Sequence, residues 1–549
     1  MTGSKSLKTI DYLIESKVNN LIQARSSLDS LNNQIALYFS PYKKDFFAEI
    51  EKDGSDSYYQ KPFNESSKRY TGVIFPMLEN FISFINDLIC SPTLKWFKLS
   101  LSAEYEYEKN NLNSKIPSSM KKELADIEDY MFHYLDKMDF YNTFNKALSD
   151  TITFGYGGFS LFDSDGLFVR YLDNTSVFFD LNYLGNVNLL VFRSNPTSSQ
   201  IINEFNKDED FVPEYIINDS KVNSESTYTI INYYKDCGNG SYKHIVYDLT
   251  TRIILREEVW TELNFFPMRW IQKGLNNYGF GQPTQVLDDA MTLNLITRND
   301  RFMLMQNISP SLDVDLEAFE NFDENNSFKT GSITVRNSYY QAKYDPIRKI
   351  FPVTDFRNIL VEYEVILNSI KSVFYSDLIQ LRSGTKTATE VVRLNSDMTR
   401  FLQPIIMQMY LETIRPFLYS LFGKLVKNKK IKLNNLTKDQ IKIDFSSQII
   451  YSRQQNQITN IMNYIGSVGS IASSGIPGAA ETMDNINLDT LVTELGDLYN
   501  VDRKIFNSDD KIKQIRDQRN EIMQQQMQLN NVKESSESLK NVSGLLNGQ

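Results

Sequence analysis

The sequence predicts an α+β fold that is predominantly helical. Three observations carry that expectation. Long stretches repeat apolar residues at three- and four-residue steps, whereas the section from Phe159 to Arg269 breaks into short β-branched and aromatic runs. Hydrophobic residues at 41% against 23% charged give the balance of a folded protein. At 549 residues the chain exceeds what a single core serves, so two or three packed regions are expected.

The elements follow in order. Leu13, Val18, Leu21, Ala24, Leu28, Leu31 and Ile35 form one helical stripe between Asp11 and Phe39, and Pro41 closes it. A polar loop, Asp53 to Lys68, leads to a second helix ending near Cys90; Ser91-Pro92 breaks the chain before the apolar run Trp96-Phe97-Lys98-Leu99. Lys121 to Phe154 is helical in period and stops at Gly155-Tyr156-Gly157-Gly158. Strand-like runs such as Val187 to Phe192, Tyr228 to Tyr234 and His244 to Val246 fill the β-rich section. Gly281-Gln282-Pro283 then opens a helical stretch reaching Ser309-Pro310, a β-like piece lies at Gly331 to Val335, and helix returns from about Asp355 to Leu378.

Leu381 to Thr387 has neither period and reads as a loop. A very long helical pattern runs from Ala388 to about Lys427, with Pro404 and Pro416 as expected bends. A β-like pair, Ile431 to Leu433 and Ile441 to Phe445, precedes further helix. The last helical part, Asp509 to Asn531, is Gln-rich and amphipathic through Ile512, Ile515, Arg519, Ile522 and Met523, with a frayed Ser/Asn/Gly end expected after it.

Composition excludes several classes. A net charge of −10 argues against tight neutralisation of DNA phosphates, though an acidic wall suits a conduit that must hold DNA weakly. The two cysteines, Cys90 and Cys237, have neither disulfide-framework nor zinc-site spacing, which fits a reducing cytoplasm. The most apolar stretch, Val73 to Cys90, is interrupted by Glu79, Asn80, Asn86 and Asp87, so no membrane span or export signal is expected. There is no GxxxxGK[ST] phosphate cradle, and Gly155, Gly157 and Gly158 read as a turn. A histidine-based nucleophile device would have to use His133 or His244, both of which read as structural. Asp288-Asp289 or Glu362/Glu364 have the chemistry to hold Mg²⁺, but such pairs abound in acidic helical proteins. An enzyme is therefore not expected, nor a cofactor or metal.

Several segments, in order, resemble the head-to-tail connector (portal) family of podoviruses. Leu21, Ala24-Arg25 and Tyr38 before Pro41 are similar to its opening helix, and Ser91-Pro92 with Lys95-Trp96-Phe97-Lys98-Leu99 to its Pro then Arg/Lys-Trp-Phe-x-Leu segment. Thr153-Phe154-Gly155-Tyr156-Gly157 resembles its Phe-Gly-x-Gly turn. Phe266-Pro267-Met268-Arg269-Trp270 and Tyr278-Gly279-Phe280-Gly281 resemble its Pro-x-Arg-Trp and Tyr-Gly pair. The most specific match is Thr385-Lys386-Thr387-Ala388-Thr389-Glu390-Val391, similar to the Thr-Ala-Thr-Glu-Val opening of a long helix that ends in a Pro-containing turn, here Leu411 to Leu418. Asn500-Val501, Phe506 to Asp510 and Ile515 to Arg519 follow its closing pattern more loosely, and Gln200 to Lys243 and Leu312 to Ile350 carry no matching motif.

The resemblance implies a portal fold with wing, stem, clip and crown, assembled as a homododecameric ring at one capsid vertex. Its parts would be an N-terminal wing region at 1–281, helical then β-rich, a first stem helix at 282–309, a clip at 310–353 and a second stem helix at 354–378. A tunnel loop at 379–387, a long wing helix at 388–427, wing and crown at 428–502 and a C-terminal crown helix and tail at 503–549 complete it. The implied partners are further copies of the chain, double-stranded DNA in the channel, the terminase large subunit, major capsid and scaffolding proteins, and a tail adaptor, with no membrane. The implied locations are the virion's portal vertex and, during assembly, the host cytoplasm. Two alternatives from other classes stay open: a virion-associated metal-dependent nuclease, and a tail or inner-capsid structural protein that forms no ring.

Residues can be set against that implication. The first stem candidate carries Gln285, Thr292, Asn299 and Gln306 at seven-residue steps beside Asp288, with Leu287, Met291, Leu295, Phe302 and Met305 as a separate apolar stripe. The second sets Asn358, Glu362, Ser369, Ser372 and Ser376 opposite Ile359, Tyr363, Ile366, Ile370 and Phe374. These polar stripes would either line a channel or face ordinary solvent. In the loop, Arg382, Ser383, Gly384 and Lys386 are the expected DNA-facing residues, the two cations being the groups placed to meet phosphate.

Overall fold

In the computed structural model the first long helix starts where its sequence says it should. The side chain of Asp11 accepts a hydrogen bond from the Leu13 amide at 3.1 Å, capping α1, Tyr12–Phe39. The structure describes residues 8–43, 69–102, 104–105, 118–163, 166–183, 185–205, 212–223, 225–238, 240–274, 276–310, 312–315, 333–336, 347–349, 357–380, 400–433, 436–437, 440–446, 448–473, 479–499, 501, 507 and 509–546. These residues divide into two compact units, 1–92 with 138–420, and 93–137 with 421–549.

In the first unit a five-stranded antiparallel sheet is ordered β4 (Val177–Leu181), β5 (Val187–Ser194), β6 (Ile230–Asp236), β7 (Tyr242–Asp248) and β8 (Ile254–Trp260). Successive side chains of a strand point to opposite faces, and both faces are covered. On one, Val18 of α1 packs with Phe178, Val191, Ile231, Tyr233, Ile245 and Tyr247. On the other, α5 (Ser198–Glu204) and α6 (Glu214–Val222) bring Ile201, Phe205 and Ile216 against Ile230, Val246 and Leu255. These two helices interrupt the section that the sequence reads as uniformly β-rich. The first forms where Thr197 and Gln200 build a capping box, a local device that outweighs neighbouring strand propensity, and the second starts after Pro213 and buries Ile216.

Arg25 fixes α1 to the sheet. Its guanidinium is fully buried 3.7 Å over the Phe178 ring and donates to Asp29 and to the carbonyls of Asn174, Thr175 and Val177. Just beyond the helix, Lys43 Nζ lies 2.6 Å from Asp150 Oδ1 and 2.9 Å from the Tyr171 hydroxyl. Burial by itself would lower the lysine pKa, but the carboxylates of Asp150 and of Asp173, 3.4 Å away, together outweigh it and raise the pKa.

A second sheet, β3 (Leu167–Tyr171), β2 (Tyr156–Asp163) and β9 (Phe265–Arg269), packs on α4 (Phe140–Phe154). Phe140 of α4 stacks on Phe417 at 4.9 Å, and Phe159 and Phe266 close the cluster edge-on. The helical period that the sequence carries unbroken from Lys121 to Phe154 is split before α4, where Asp139 adopts a left-handed φ of 55°. Residues 400–409 are helical, and the π-helical turn Tyr410–Ile414 follows before helix resumes at Arg415–Lys427. Pro416 has no N–H for the Glu412 carbonyl, and its ring crowds that oxygen, so the turn widens and Arg415 N–H reaches back to Tyr410. Glu412 in this turn holds Arg269 bidentately at 2.8 and 3.1 Å.

The second unit is built on β1 (Phe97–Leu101) paired antiparallel with β13 (Ile441–Phe445), Leu99 opposite Ile443. The sequence pairs Ile431–Leu433 with Ile441–Phe445. The strand that actually forms the pair lies far upstream, because burial of Trp96, Phe97 and Leu99 against α3 (Ser118–Lys137) selects it. Phe132 of α3 stacks on Phe97 at 4.2 Å, and Glu128 accepts from the Leu99 amide at 3.1 Å. Helices Gln448–Ala472, Leu488–Leu498 and Asp509–Leu546 follow, the last extending past the frayed end that the sequence suggests. Serine and asparagine cost a helix only a few tenths of a kcal/mol each, and no glycine intervenes before Gly544.

Candidate functional site

Two long helices of the first unit, α7 (Leu287–Ile308) and α8 (Arg357–Val373), pack together. Ser369, near the end of α8, donates to Asp289, near the start of α7, at 2.7 Å, so the two run antiparallel. Between them in sequence lie β10 (Leu312–Asp315), β11 (Ile333–Arg336) and β12 (Ile347–Lys349), which form a small sheet ordered β11-β10-β12. β10 pairs parallel with β11 and antiparallel with β12.

The base of the pair is fixed by a few buried groups. Gln282, in a 3-10 turn leading into α7, accepts from Trp270 Nε1 at 2.8 Å and donates to the Val373 carbonyl that ends α8, at 3.0 Å. One amide thus ties both helices to one indole. Phe374 is fully buried among Phe39 and Phe81, while Tyr375, held at a left-handed φ of 50°, stacks on Phe81 and turns the chain into the short helix Ser376–Gln380. Asn294 of α7 accepts from the amides of Tyr70 and Thr71.

The two glycine motifs that the sequence singles out separately meet here. A Cβ on Gly155, whose φ is 93°, would lie 2.3 Å from the Gly279 carbonyl oxygen, and one on Gly281 would lie 2.0 Å from that of Thr153. The backbones touch, which only glycine permits. Trp270 N–H donates to the Gly155 carbonyl at 2.9 Å, joining the third motif to the same point.

Asp288, Thr292 and Asn299 are exposed on α7, Gln285 in the 3-10 turn that precedes it, and Glu362, Ser369 and Ser372 on α8. Their hydroxyls turn inward: Thr292 donates to the Asp288 carbonyl and Ser372 to that of Ser369. Two residues of the expected polar stripes are buried, Gln306 and Ser376. Asn358 lies where side chains are not described, and Arg382, Ser383, Gly384 and Lys386 lie outside the described residues.

The expected apolar stripe of α7 needs a larger correction. Leu287 is buried, but Leu295, Phe302 and Met305 are exposed at 53%, 42% and 58%. The arc turned to the core is Leu287, Ala290, Leu293 and Asn294. Period shows that a helix has an apolar arc; which arc the chain's own core takes depends here on Asn294 meeting the Tyr70–Thr71 backbone. Ile370 on α8 and Phe374 just past its end are buried as the pattern requires, and Leu360, Val361 and Val365 of α8 are bare.

Elsewhere, His244 is buried flat against Tyr234 at 4.2 Å, with Trp260 edge-on at 5.0 Å. Burial, helped by the charge of Arg256, pushes its pKa down to about 3. Among the described residues no group of three or more His, Cys, Asp or Glu converges to hold a metal ion, and no described helix is long and apolar enough to cross a membrane. Gln282, Asn294, Lys43 and Asp150 are anchors that the pattern of the sequence does not reveal, since each partner lies far away along the chain.

Fold and site together define an α+β chain organised on an antiparallel helix pair, with a small sheet in the segment that joins its helices. The model of one family, bacteriophage head to tail connecting protein, matches residues 12–506, and the chain belongs to that family. It is a phage connector, a structural component of the virion that works among other head and tail proteins. No individual curated protein matches it.

Proposed function

We propose that the chain is the subunit of a homo-oligomeric portal ring, whose channel passes double-stranded DNA into the capsid during packaging and out of it at ejection. The observation that carries this reading is the exposed surface of α7 and α8. On each helix a wet stripe, Asp288, Thr292 and Asn299 with Gln285 in the turn before them, or Glu362, Ser369 and Ser372, runs beside bare apolar side chains, Leu295, Phe302 and Met305 or Leu360, Val361 and Val365. A monomer gains nothing by leaving such faces in water. A head-to-tail contact between unlike faces of identical copies covers them and closes into a ring, which leaves the wet stripes for the lumen. Hydroxyls already bonded to their own backbone, on a chain of net charge −10, give a wall that lets phosphate slide.

In this reading 282–309 and 354–378 form the stem, 310–353 the clip that meets the terminase large subunit and later the tail adaptor, and 379–387 the tunnel loop. Wing and crown face the major capsid and scaffolding proteins, and twelve copies make the ring, as the resemblance implies. The role is conduit and docking platform, without catalysis. Light scattering and negative-stain images of the purified protein test it. Annular particles many times 63.6 kDa are expected, and a stable monomer at micromolar concentration overturns the reading.

A further inference from the structure

Between Glu412 and Asp439 the sequence carries seven basic residues and no acidic one, in a chain whose net charge is −10. Net charge describes the whole surface, whereas an anion meets only the part in front of it. Five of these cations, Lys424, Lys427, Lys429, Lys430 and Lys432, cluster at the end of the helix Arg415–Lys427. The helix closes in a Schellman turn: the Lys429 amide donates to the Val426 carbonyl at 3.0 Å and the Lys430 amide to that of Leu425 at 2.9 Å. Leu425 before the turn and Ile431 after it are buried, whereas Lys427, Lys429, Lys430 and Lys432 are exposed. Lys429 takes the left-handed position of the turn, at φ 55°, where glycine is the usual residue.

What these lysines meet follows from their surroundings. Among the described residues none of the five has a carboxylate partner, whereas the next described lysine, Lys442, is paired with Asp444 at 2.6 Å. Attraction to the negative end of the helix dipole accounts for Lys424 and Lys427, but it does not call for three more cations past the last turn. No large apolar side chain described between Leu411 and Met462 is exposed. The patch therefore lacks the apolar or aromatic anchor that centres a protein interface, where lysine itself is depleted. Lysines are also point charges: they hold a phosphate without the planar fork with which arginine reads a base edge. A purely cationic, unanchored patch fits a regular polyanion, and the backbone of duplex DNA carries one charge per about 1.7 Å of its axis.

We infer that Lys427, Lys429, Lys430 and Lys432, with Lys424 beside them, form a binding site for the phosphate backbone of duplex DNA, indifferent to its sequence and separate from the helix pair and the loop at 379–387. The patch belongs to the second unit and those elements to the first. Several unpaired cations on every copy would brake DNA in transit, so the site suits duplex that rests against the connector. The inference takes its ligand from the phage-connector reading and does not require the ring.

The test is binding of the full-length protein to a small covalently closed duplex circle, read by fluorescence anisotropy across a salt series. A closed circle cannot thread a closed ring, so passage through a channel contributes nothing. The wild-type protein is expected to bind at low salt. The quadruple variant Lys427→Gln, Lys429→Gln, Lys430→Gln and Lys432→Gln is expected to bind at least about tenfold more weakly, with a salt slope smaller by about three to four. Lys429→Gly separates charge from folding. It relieves the left-handed strain, so the melting midpoint does not fall while affinity for the circle does. No binding by the wild type, or wild-type affinity in either variant, overturns the site. Lysine-dependent binding of polyglutamate in preference to the circle overturns it in favour of an acidic protein surface. Light scattering on the same samples keeps the two readings apart. Lysine-dependent binding by a stable monomer supports the site and overturns the ring, and annular particles without that binding overturn the site alone.

Discussion

His244 shows how a buried side chain writes itself into acid stability. Folded, it titrates near 3 against an ordinary 6.5, because burial, ahead of the charge on Arg256, disfavours the imidazolium. Glu258 lies 3.9 Å away, but it is shared with Arg256 and with Trp260 Nε1, so it does not rescue the charge. Below pH 6.5 the unfolded chain therefore binds a proton that the fold refuses, and stability declines as pH falls from 6.5 toward 3. At 1.36 kcal/mol per pH unit the loss is about 2.7 kcal/mol two units below the unfolded value. His244→Phe, which keeps a ring on Tyr234, is expected to flatten this part of the pH dependence in urea melts at about pH 7 and 4.5. An unchanged difference between the two pH values would show that His244 stays protonatable in the fold.

Among the elements, the joint under the helix pair is the most constrained. Gly281→Ala drives a methyl to 2.0 Å from the Thr153 carbonyl, so the two backbones must part. Strain of that kind is expected to cost about 2 kcal/mol or more, read as a lower denaturation midpoint. Gln282→Leu fills similar volume but leaves the Trp270 indole Nε1–H without its acceptor and the Val373 carbonyl without this donor, each buried loss being worth about 1–3 kcal/mol. Its signature is local: amide exchange at the end of α8 and through Phe374 and Tyr375 accelerates, while exchange in the five-stranded sheet does not. Uniform acceleration across the first unit would show that Gln282 supports the core at large and does not pin the helices.

For the whole molecule, bare faces and the loop make separable predictions. Leu295 is more than half exposed in the single chain, so Leu295→Asp is expected to leave the far-ultraviolet spectrum and melting of the protomer nearly intact while reducing ring yield. Normal ring yield would remove α7 from the subunit contact. Arg382 and Lys386 carry the only charges between Asp377 and Glu390. Replacing both by Ala is expected to change stability by no more than a few tenths of a kcal/mol, with rings that assemble but package or retain DNA poorly. Wild-type packaging and retention by the double variant would sink the tunnel-loop role.

What the sequence determined by itself is what local physics encodes: where α1 starts at Asp11, the two helices either side of a small β segment, the turn at Gly155, and the ordered motifs that point to the connector family. Helical period, caps and glycine requirements act within a few residues, so they are legible without a fold. Tertiary structure alone decided the partners of those elements. It paired β13 with Phe97–Leu101 and not with Ile431–Leu433, turned Ala290 and Leu293 of α7 to the core while leaving Leu295 and Phe302 bare, and gathered Gly155, Gly279, Trp270 and Gln282 at one joint. Each of those choices depends on contacts between residues distant in the chain, where burial and hydrogen-bond satisfaction are summed over the packed unit and periodicity carries no information.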